Sequence, residues 1–310
     1  MRGNDERRSP AEGASTEAEV SAFEAVLIDP MQEKDEELKD RQFVTALARG
    51  LELLRCFTPR ESLLGNQELA KKTGLPKPTV SRLTHTLTRL GYLRHLPHSG
   101  KYQLEVGVMS FGYAMLSNLS IRALARPLME EMAGYAKAAV AMAARDRLSM
   151  VYLDVVHGEA NLTMRRQVGS HLSLHRSAIG RACPGGDAGG RAGVHPRAHP
   201  QAPPEDWPEV RKGLERAFRD YADYGFCLSL GEWQRDVNAV GVALHHESHG
   251  LLAFNCGGPS FHLQARETGG RHRPAPAAHG PQHRGRHPLT EAGDGIMATG
   301  LRAYWSEHDS

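Results

Sequence analysis

Between residues 66 and 91 the chain is punctuated too closely for anything but short helices joined by a turn. Asn66 is a suitable N-cap, and a helix is expected over Gln67–Thr73. Gly74 follows at the C′ position, where a left-handed residue costs glycine little. After Thr73-Gly74-Leu75 a second apolar period begins at Pro78, whose missing N–H has no intrahelical partner in the first turn. Val80, Leu83, Leu87 and Leu90 form its predicted buried stripe, and Gly91 closes it. Upstream, Val44, Leu47, Leu51 and Leu54 recur at helical spacing, predicting an inward stripe on a helix over Gln42–Phe57 that ends at Thr58-Pro59. Downstream, Tyr92–His95 and Tyr102–Glu105 read as strands joined by a turn at Pro97-His98-Ser99-Gly100. Three helices and a hairpin within residues 41–112 predict a winged helix-turn-helix.

Charge favours a polyanionic partner for this unit. The formal net charge of +2 conceals an asymmetry. Residues 1–40 carry twelve acidic and five basic residues, a net of −7, and read as an acidic disordered tail. Residues 41–103 carry eleven basic and three acidic residues, a net of +8. A small basic domain behind an acidic leader is what duplex DNA binding calls for. On the second helix of the pair, Lys77, Thr79, Ser81, Arg82, His85, Thr86 and Arg89 lie off the predicted buried stripe. Arg82 suits a bidentate contact to a guanine edge, and Thr79 or Thr86 a thymine methyl or phosphate. Lys77 and Arg89 suit phosphates. His98 and Lys101 sit on the wing, within reach of backbone or minor groove. The bland alternative is a three-helix bundle with a solvated basic face.

The remainder alternates between helix and strand. Helices are expected over Val108–Leu116 and Ile121–Arg145, the second rich in Ala, Met and Leu and suited to a linker spanning 113–146. Strands are expected at Met150–Val156, Asn161–Gln167, Leu228–Leu230, Ala239–Leu244 and Leu251–Cys256, with a helix over 208–224. The fold class is therefore α+β, with a sensor domain over 147–310. No apolar run reaches the roughly 20 residues of a membrane span, and no secretory h-region opens the chain, so a cytoplasmic protein without membrane attachment is expected. Cys56, Cys183, Cys227 and Cys256 are widely spaced and form no C-x-x-C pair. No metal or cofactor is expected.

With these elements in place, a family resemblance is visible. The segments ALARGLELL, ELAKKTGLPKPTVSRLTHTLTRLGYL and YQLEVGVMSFG, within about residues 42–112, resemble the N-terminal domain of the IclR family of bacterial transcriptional regulators. GSHLSLHRSAIGRA (169–182), GFCLSLGEWQRDVNAVGVAL (225–244) and NCGGPSF (255–261) resemble its C-terminal, GAF-like effector-binding domain. The resemblance implies a dimer or tetramer that binds a pseudo-palindromic operator and a small organic-acid or aromatic effector. By position in the matching motifs, Gly169, Ser170, Ser229, Trp233, Ala239, Asn255 and Gly257 are expected to line the effector pocket. The alternatives are a GAF-like small-molecule sensor or interaction protein without specific DNA binding, and a hydrolase built on His175, Ser177 and Asp236. The hydrolase lacks a G-x-S-x-G elbow, and no enzyme activity is expected.

Two stretches interrupt the pattern. Residues 183–204 and 265–289 are crowded with Gly, Pro, Ala, His and Arg, and each holds a single aliphatic residue larger than Ala, Val194 and Leu289 respectively. Neither can bury an apolar face. Long loops of this kind are uncommon inside compact domains, and no helical His spacing suggests a metal. The preferred reading of the composition is a GC-rich gene read out of frame over two short intervals and restored by compensating shifts. Translation of the gene's other two frames there is expected to give amphipathic segments containing Leu and Glu. Finding them in neither frame rejects the reading.

Overall fold

The computed structural model describes residues 41–147, 149–158, 166–183, 206–246 and 248–263. The acidic tail, residues 161–165 of one expected strand, residues 184–204 of the first anomalous stretch and all of the second lie outside the described residues. The chain divides into two compact units at Leu119/Ser120, and each is described by itself.

In the first unit, α1 (Thr45–Arg55), α2 (Asn66–Thr73) and α3 (Lys77–Arg89) pack with a three-stranded antiparallel sheet of β1 (Leu64–Gly65), β2 (Leu93–Leu96) and β3 (Lys101–Leu104), followed by α4 (Gly107–Ser117). The sheet order is β1-β3-β2. The expected wing is present, and β1 joins it, with Leu64 opposite Tyr102. Leu53, Phe57, Leu64, Leu69, Leu75, Val80, Leu87 and Leu93 form one buried cluster. Gly74 takes φ +65°, which ends α2 and makes the turn.

Three expectations about this unit are corrected. The stripe assigned to the core of α1 is largely the wrong one, because Val44, Leu47 and Leu51 are 61%, 62% and 53% exposed. The buried face is Gly50, Leu53 and the following Phe57, with Leu54 half-buried at the edge. At about 100° per residue the two faces adjoin, so periodicity finds the broad apolar arc without telling which half is covered. Gly50 lies in the covered half, where a Cβ in its place would meet the Leu83 side chain at 3.9 Å. Leu90 is likewise exposed, and Thr84, fully buried, occupies the inward face of α3 instead. Finally, Gly65 and not Asn66 stands at the N-cap of α2, and its N–H donates to Glu68 Oε2 at 2.6 Å.

The second unit is a six-stranded antiparallel sheet in the order β6-β5-β4-β9-β8-β7. Its strands are β4 (Ala139–Asp146), β5 (Ser149–Val156), β6 (His171–Ser173), β7 (Cys227–Leu230), β8 (Val237–His246) and β9 (Gly250–Pro259). The helix α5 (Ser120–Ala136) buries Ile121, Ala125, Met129, Met132, Ala133 and Ala136 and packs on β4, β5 and β9. Against the sheet also lie α6 (Ala178–Arg181) and α7 (Trp207–Tyr224), whose Ile179, Val210, Leu214 and Phe218 share a cluster with Ala141, Ala143, Met150, Tyr152 and Ala253. At Gly241 a Cβ would stand 2.3 Å from the carbonyl oxygen of Ala178, so α6 sits directly on the backbone of β8.

The long linker helix expected to reach Arg145 ends at Ala136. Lys137 takes φ +47°, and residues 139–146 form the inner strand β4. Four consecutive residues, Val140–Ala143, are buried. A strand covered on both faces loses its alternation, and its Ala and Met content mimics a helix.

One buried carboxylate ties α5 to the sheet. Asp154 on β5 is 2% exposed and accepts from Arg126 Nη1 at 2.8 Å and from the Val155 N–H at 2.9 Å, while Arg122 lies at 3.5 Å. Both arginines retain access to water, which lowers the cost of breaking the pair below that of a fully buried one. Asp154→Ala is therefore expected to destabilise this unit by about 1–3 kcal/mol in urea unfolding. A loss under about 0.5 kcal/mol, the range of ordinary surface substitutions, would mean that apolar packing alone seats α5.

Candidate nucleic-acid interface and effector site

The helix α3 separates its two faces cleanly. Val80, Thr84 and Leu87 are buried, and Leu83 is half-buried beside them. Ser81, Arg82, His85, Thr86 and Arg89 are exposed on the opposite side, with Lys77 exposed at the start of the helix. Thr79 is half-buried. The Thr86 hydroxyl donates to the Arg82 carbonyl at 2.9 Å, so its one proton is used within the helix. Among the described residues Lys77, Arg82 and Arg89 make no ion pair.

The cations beside α3 are arranged differently. Lys72 on α2 pairs with Glu61 at 2.7 Å, and Lys101 on the wing pairs with Glu68 at 3.0 Å. Arg94 pairs through two nitrogens with Glu105, whose carboxyl this partner holds below the usual carboxylate range. His98 stands exposed in the turn between β2 and β3, and the His95 and Tyr102 rings lie 4.8 Å apart across the hairpin. The bracing of α3 on α2 was not anticipated. Thr84 Oγ1 lies 3.1 Å from Asn66 Oδ1 and 3.0 Å from the Val80 carbonyl.

In the second unit, strand register gathers four of the seven expected effector residues. Ser229 lies opposite Ala239, and Ala239 opposite Gly257. Asn255, two positions along β9, shares that face. Ser229 is 2% exposed, and its hydroxyl donates to the Arg176 carbonyl at 2.7 Å. Asn255 Oδ1 accepts from the Tyr152 hydroxyl at 3.4 Å. Burial pushes the Tyr152 phenol up to about 12. Gly169, at φ +83°, and Ser170 form a turn clamped on the same tyrosine: the Gly169 N–H donates to the Tyr152 carbonyl at 2.8 Å, and the Tyr152 N–H to the Ser170 carbonyl at 3.0 Å. Trp233 is half-buried with the Arg166 guanidinium 4.8 Å from its ring centroid.

Sequence reasoning missed Tyr152 and Arg166, because neither stands inside the motifs that carry the resemblance. It also missed Arg181, which is 1% exposed. Its Nε donates to the His175 carbonyl at 2.8 Å, and the guanidinium pairs with Glu232, next to Trp233. Arg216 pairs with the same carboxylate. Of the residues imagined as a hydrolase triad, Ser177 acts as the N-cap of α6: its hydroxyl accepts from the Gly180 N–H at 3.1 Å and donates to the Ser173 carbonyl at 2.6 Å. No group of three or more potential ligands among the described residues is placed to hold a metal, and no described helix is long and apolar enough to cross a membrane.

A helix-turn-helix with a three-stranded wing and an exposed basic helix defines the class of winged-helix transcription regulators. The comparisons agree and go further. The IclR helix-turn-helix domain matches residues 46–97, and the C-terminal domain of bacterial IclR transcriptional regulators matches residues 113–184. The second match ends where the first anomalous stretch begins. The HTH-type transcriptional regulator TsaQ1/TsaQ2 of Comamonas testosteroni is 37% identical over 220 residues, which span 70% of this chain and 79% of that one. The crystal structure of an IclR family transcriptional regulator from Brucella abortus is 56% identical, with a TM-score of 0.67, covering 86% of this chain and 93% of that one. An IclR-type regulator from Silicibacter sp. TM1040, at 17% identity and a TM-score of 0.55, shares the fold. The chain belongs to the IclR family of transcriptional regulators.

Proposed function

We propose that this regulator reads a pseudo-palindromic operator in double-stranded DNA as a dimer or tetramer, and that a small organic acid or aromatic metabolite controls it in the cytoplasm. The observation that carries the DNA reading is the face of α3 on which Ser81, Arg82, His85, Thr86 and Arg89 stand exposed, with both arginines free of carboxylate partners among the described residues. A helix of this width fits the major groove, and a free guanidinium matches the two acceptors of guanine. Lys77 and Arg89, at the two ends, are placed to hold phosphates and set the register.

Self-association is supported by the apolar surface of the first unit. Val44, Leu47 and Leu51 on α1 are more than half exposed, and α4 has no buried residue although Met109, Phe111, Tyr113 and Met115 lie along it. Patches of this kind mark contacts with a partner, and a second copy would present the same surface in a two-fold arrangement. The effector reading is supported by the small and polar side chains of Ser229, Ala239, Asn255 and Gly257 on one sheet face. Small-molecule sites combine such convergent polar groups with an apolar wall. Trp233 and the Gly169-Ser170 turn are the remaining members of the proposed lining.

A mobility shift on operator DNA is expected to weaken steeply with salt, and the absence of any shift at low salt would end the DNA reading in favour of a sensor alone. Arg82→Ala is expected to lose about 1–3 kcal/mol of discrimination between operator and a variant at the contacted base pair. An equal loss across all operator variants would instead make Arg82 a phosphate contact. The pair Leu47→Glu and Leu51→Glu is expected to convert the dimer to monomer by sedimentation with helical content retained. A dimer that survives both would move the interface away from α1.

A further inference from the structure

Basic residues of α3, of α2 and of the wing differ in their partners. Arg82, Arg89 and Lys77 on α3 make no ion pair among the described residues, whereas Lys72 on α2 and Lys101 on the wing are each held by a carboxylate. Glu68 does more than pair. Its Oε2 accepts from the Gly65 N–H at 2.6 Å, capping α2, while its Oε1 accepts from Lys101 Nζ at 3.0 Å. One side chain thus joins the start of the first helix of the motif to the wing. Strand pairing of Gly65 with Lys101 fixes the same two backbones, so the wing does not depend on the ion pair for its position. What the ion pair adds is a partner for the ammonium group, at the modest strength of an exposed pair. The Gly65 N–H, first, and Lys101 together hold the Glu68 carboxyl below the usual carboxylate range, so the charge is present throughout the neutral range.

We propose that Glu68 is a specificity-determining residue that occupies Lys101 and keeps its charge from being spent on any phosphate that approaches, leaving attraction to DNA to the cations that no carboxylate holds, those of α3 among them. The proposal rests on the DNA-binding reading above. An exposed lysine contributes equally to every sequence, so silencing one lowers non-specific affinity more than specific affinity and widens the ratio that decides occupancy among competing sites. Lys101 can still reach a phosphate where an operator holds the wing close enough to compete with Glu68. Among the described residues, Lys72, engaged by Glu61, is the other cation whose charge acts on the Glu68 carboxylate.

The test is a double-mutant cycle on the full-length protein, with Glu68→Gln, Lys101→Gln and the pair together. Glutamine keeps an oxygen for the Gly65 N–H and removes only the charge, so the cap is retained. Binding is measured on operator DNA and on a random duplex from 50 to 200 mM salt. For Glu68→Gln, the slope of log affinity against log salt on random DNA is expected to steepen by about 0.9, the value of one added phosphate contact. Its gain on going from 200 to 50 mM is then about threefold to fourfold larger than that of the unchanged protein, and the ratio of operator to random affinity falls. The double variant is expected to return to the unchanged slope. A Glu68→Gln slope equal to the original overturns the proposal, and if the melting temperature falls at the same time Glu68 is a helix cap alone. A steeper slope that persists in the double variant also overturns it, since the freed charge would not be Lys101. If the unchanged protein binds neither duplex at low salt, the DNA-binding reading falls and this proposal falls with it; binding by the unchanged protein with no response to Glu68→Gln removes this proposal only.

Discussion

Thr84 sits fully buried between α2 and α3, its hydroxyl within 3.0 Å of the Val80 carbonyl and 3.1 Å of both Asn66 Oδ1 and the Ser81 carbonyl. Around it Leu53, Leu69, Val80 and Leu87 supply the apolar contact that holds the helices together. The area they bury depends on which face of α3 turns inward, so those residues oppose a roll of the helix. The Thr84 hydroxyl has one proton for these three acceptors, and where it goes to Asn66 Oδ1 it adds a directional contact between the two helices. The consequence appears on the far side of α3, where a rotation of one residue's worth, about 100°, would replace Arg82 and Thr86 with Leu83 and Leu87. The exposed basic face is therefore set by the burial of Val80, Thr84 and Leu87 on the opposite side of the helix. Gly74, at φ +65°, sets the remaining variable, the angle at which the second helix leaves the first.

This dependence explains which parts of the unit were legible in the sequence. Helix ends were readable because their signals are local: Gly74 and Gly91 need no partner to act, and Pro78 stands in the first turn of α3 as its chemistry requires. The outward residues of α3 followed from the same local logic. What failed was the choice between neighbouring apolar faces. On α1 the pattern covers one broad arc, and only tertiary packing shows that Gly50, Leu53 and the following Phe57 are the buried half. On α3, Leu90 falls beyond the last turn that the core covers, while Thr84, polar by type, is admitted because its hydroxyl finds partners. The capping role of Glu68 was within reach, since an acidic residue three positions after an N-cap, here Gly65, is a capping signal. Its link to Lys101 was not, because that contact spans 33 positions of sequence.

The second unit was harder to read for a related reason. A sheet packed by helices on both sides buries consecutive residues along its inner strands, as at Val140–Ala143, and the two-residue period vanishes. The strands that kept a recognisable pattern or turn signals, β5, β8 and β9, were found with small errors at their ends. Register then did what composition cannot. It brought Ser229, Ala239 and Gly257 into one row from three strands, and placed Asn255 on the same face. Tyr152 entered this group unannounced, because the Gly169-Ser170 turn folds back onto its backbone.

The polar groups of that face differ in how far their bonding capacity is already used. Ser229 donates its single proton to the Arg176 carbonyl, and Ser170 Oγ accepts from the Gln167 N–H at 3.1 Å. Redirecting the serine proton to a ligand would leave the Arg176 carbonyl short of a partner, which offsets the gain. Tyr152 and Asn255 meet at 3.4 Å, near the limit of a hydrogen bond, and the carboxamide retains two N–H donors beyond that contact. Arg166 rests on the face of Trp233, a contact that leaves the guanidinium edge available. Under the proposed reading, a carboxylate entering here meets donors from Asn255 and Arg166 at small cost, with the indole beside it to cover an aromatic ring. Discrimination among acids would then reside in Asn255, Tyr152, Arg166 and Trp233, and the serines named by motif position would shape the wall that holds them.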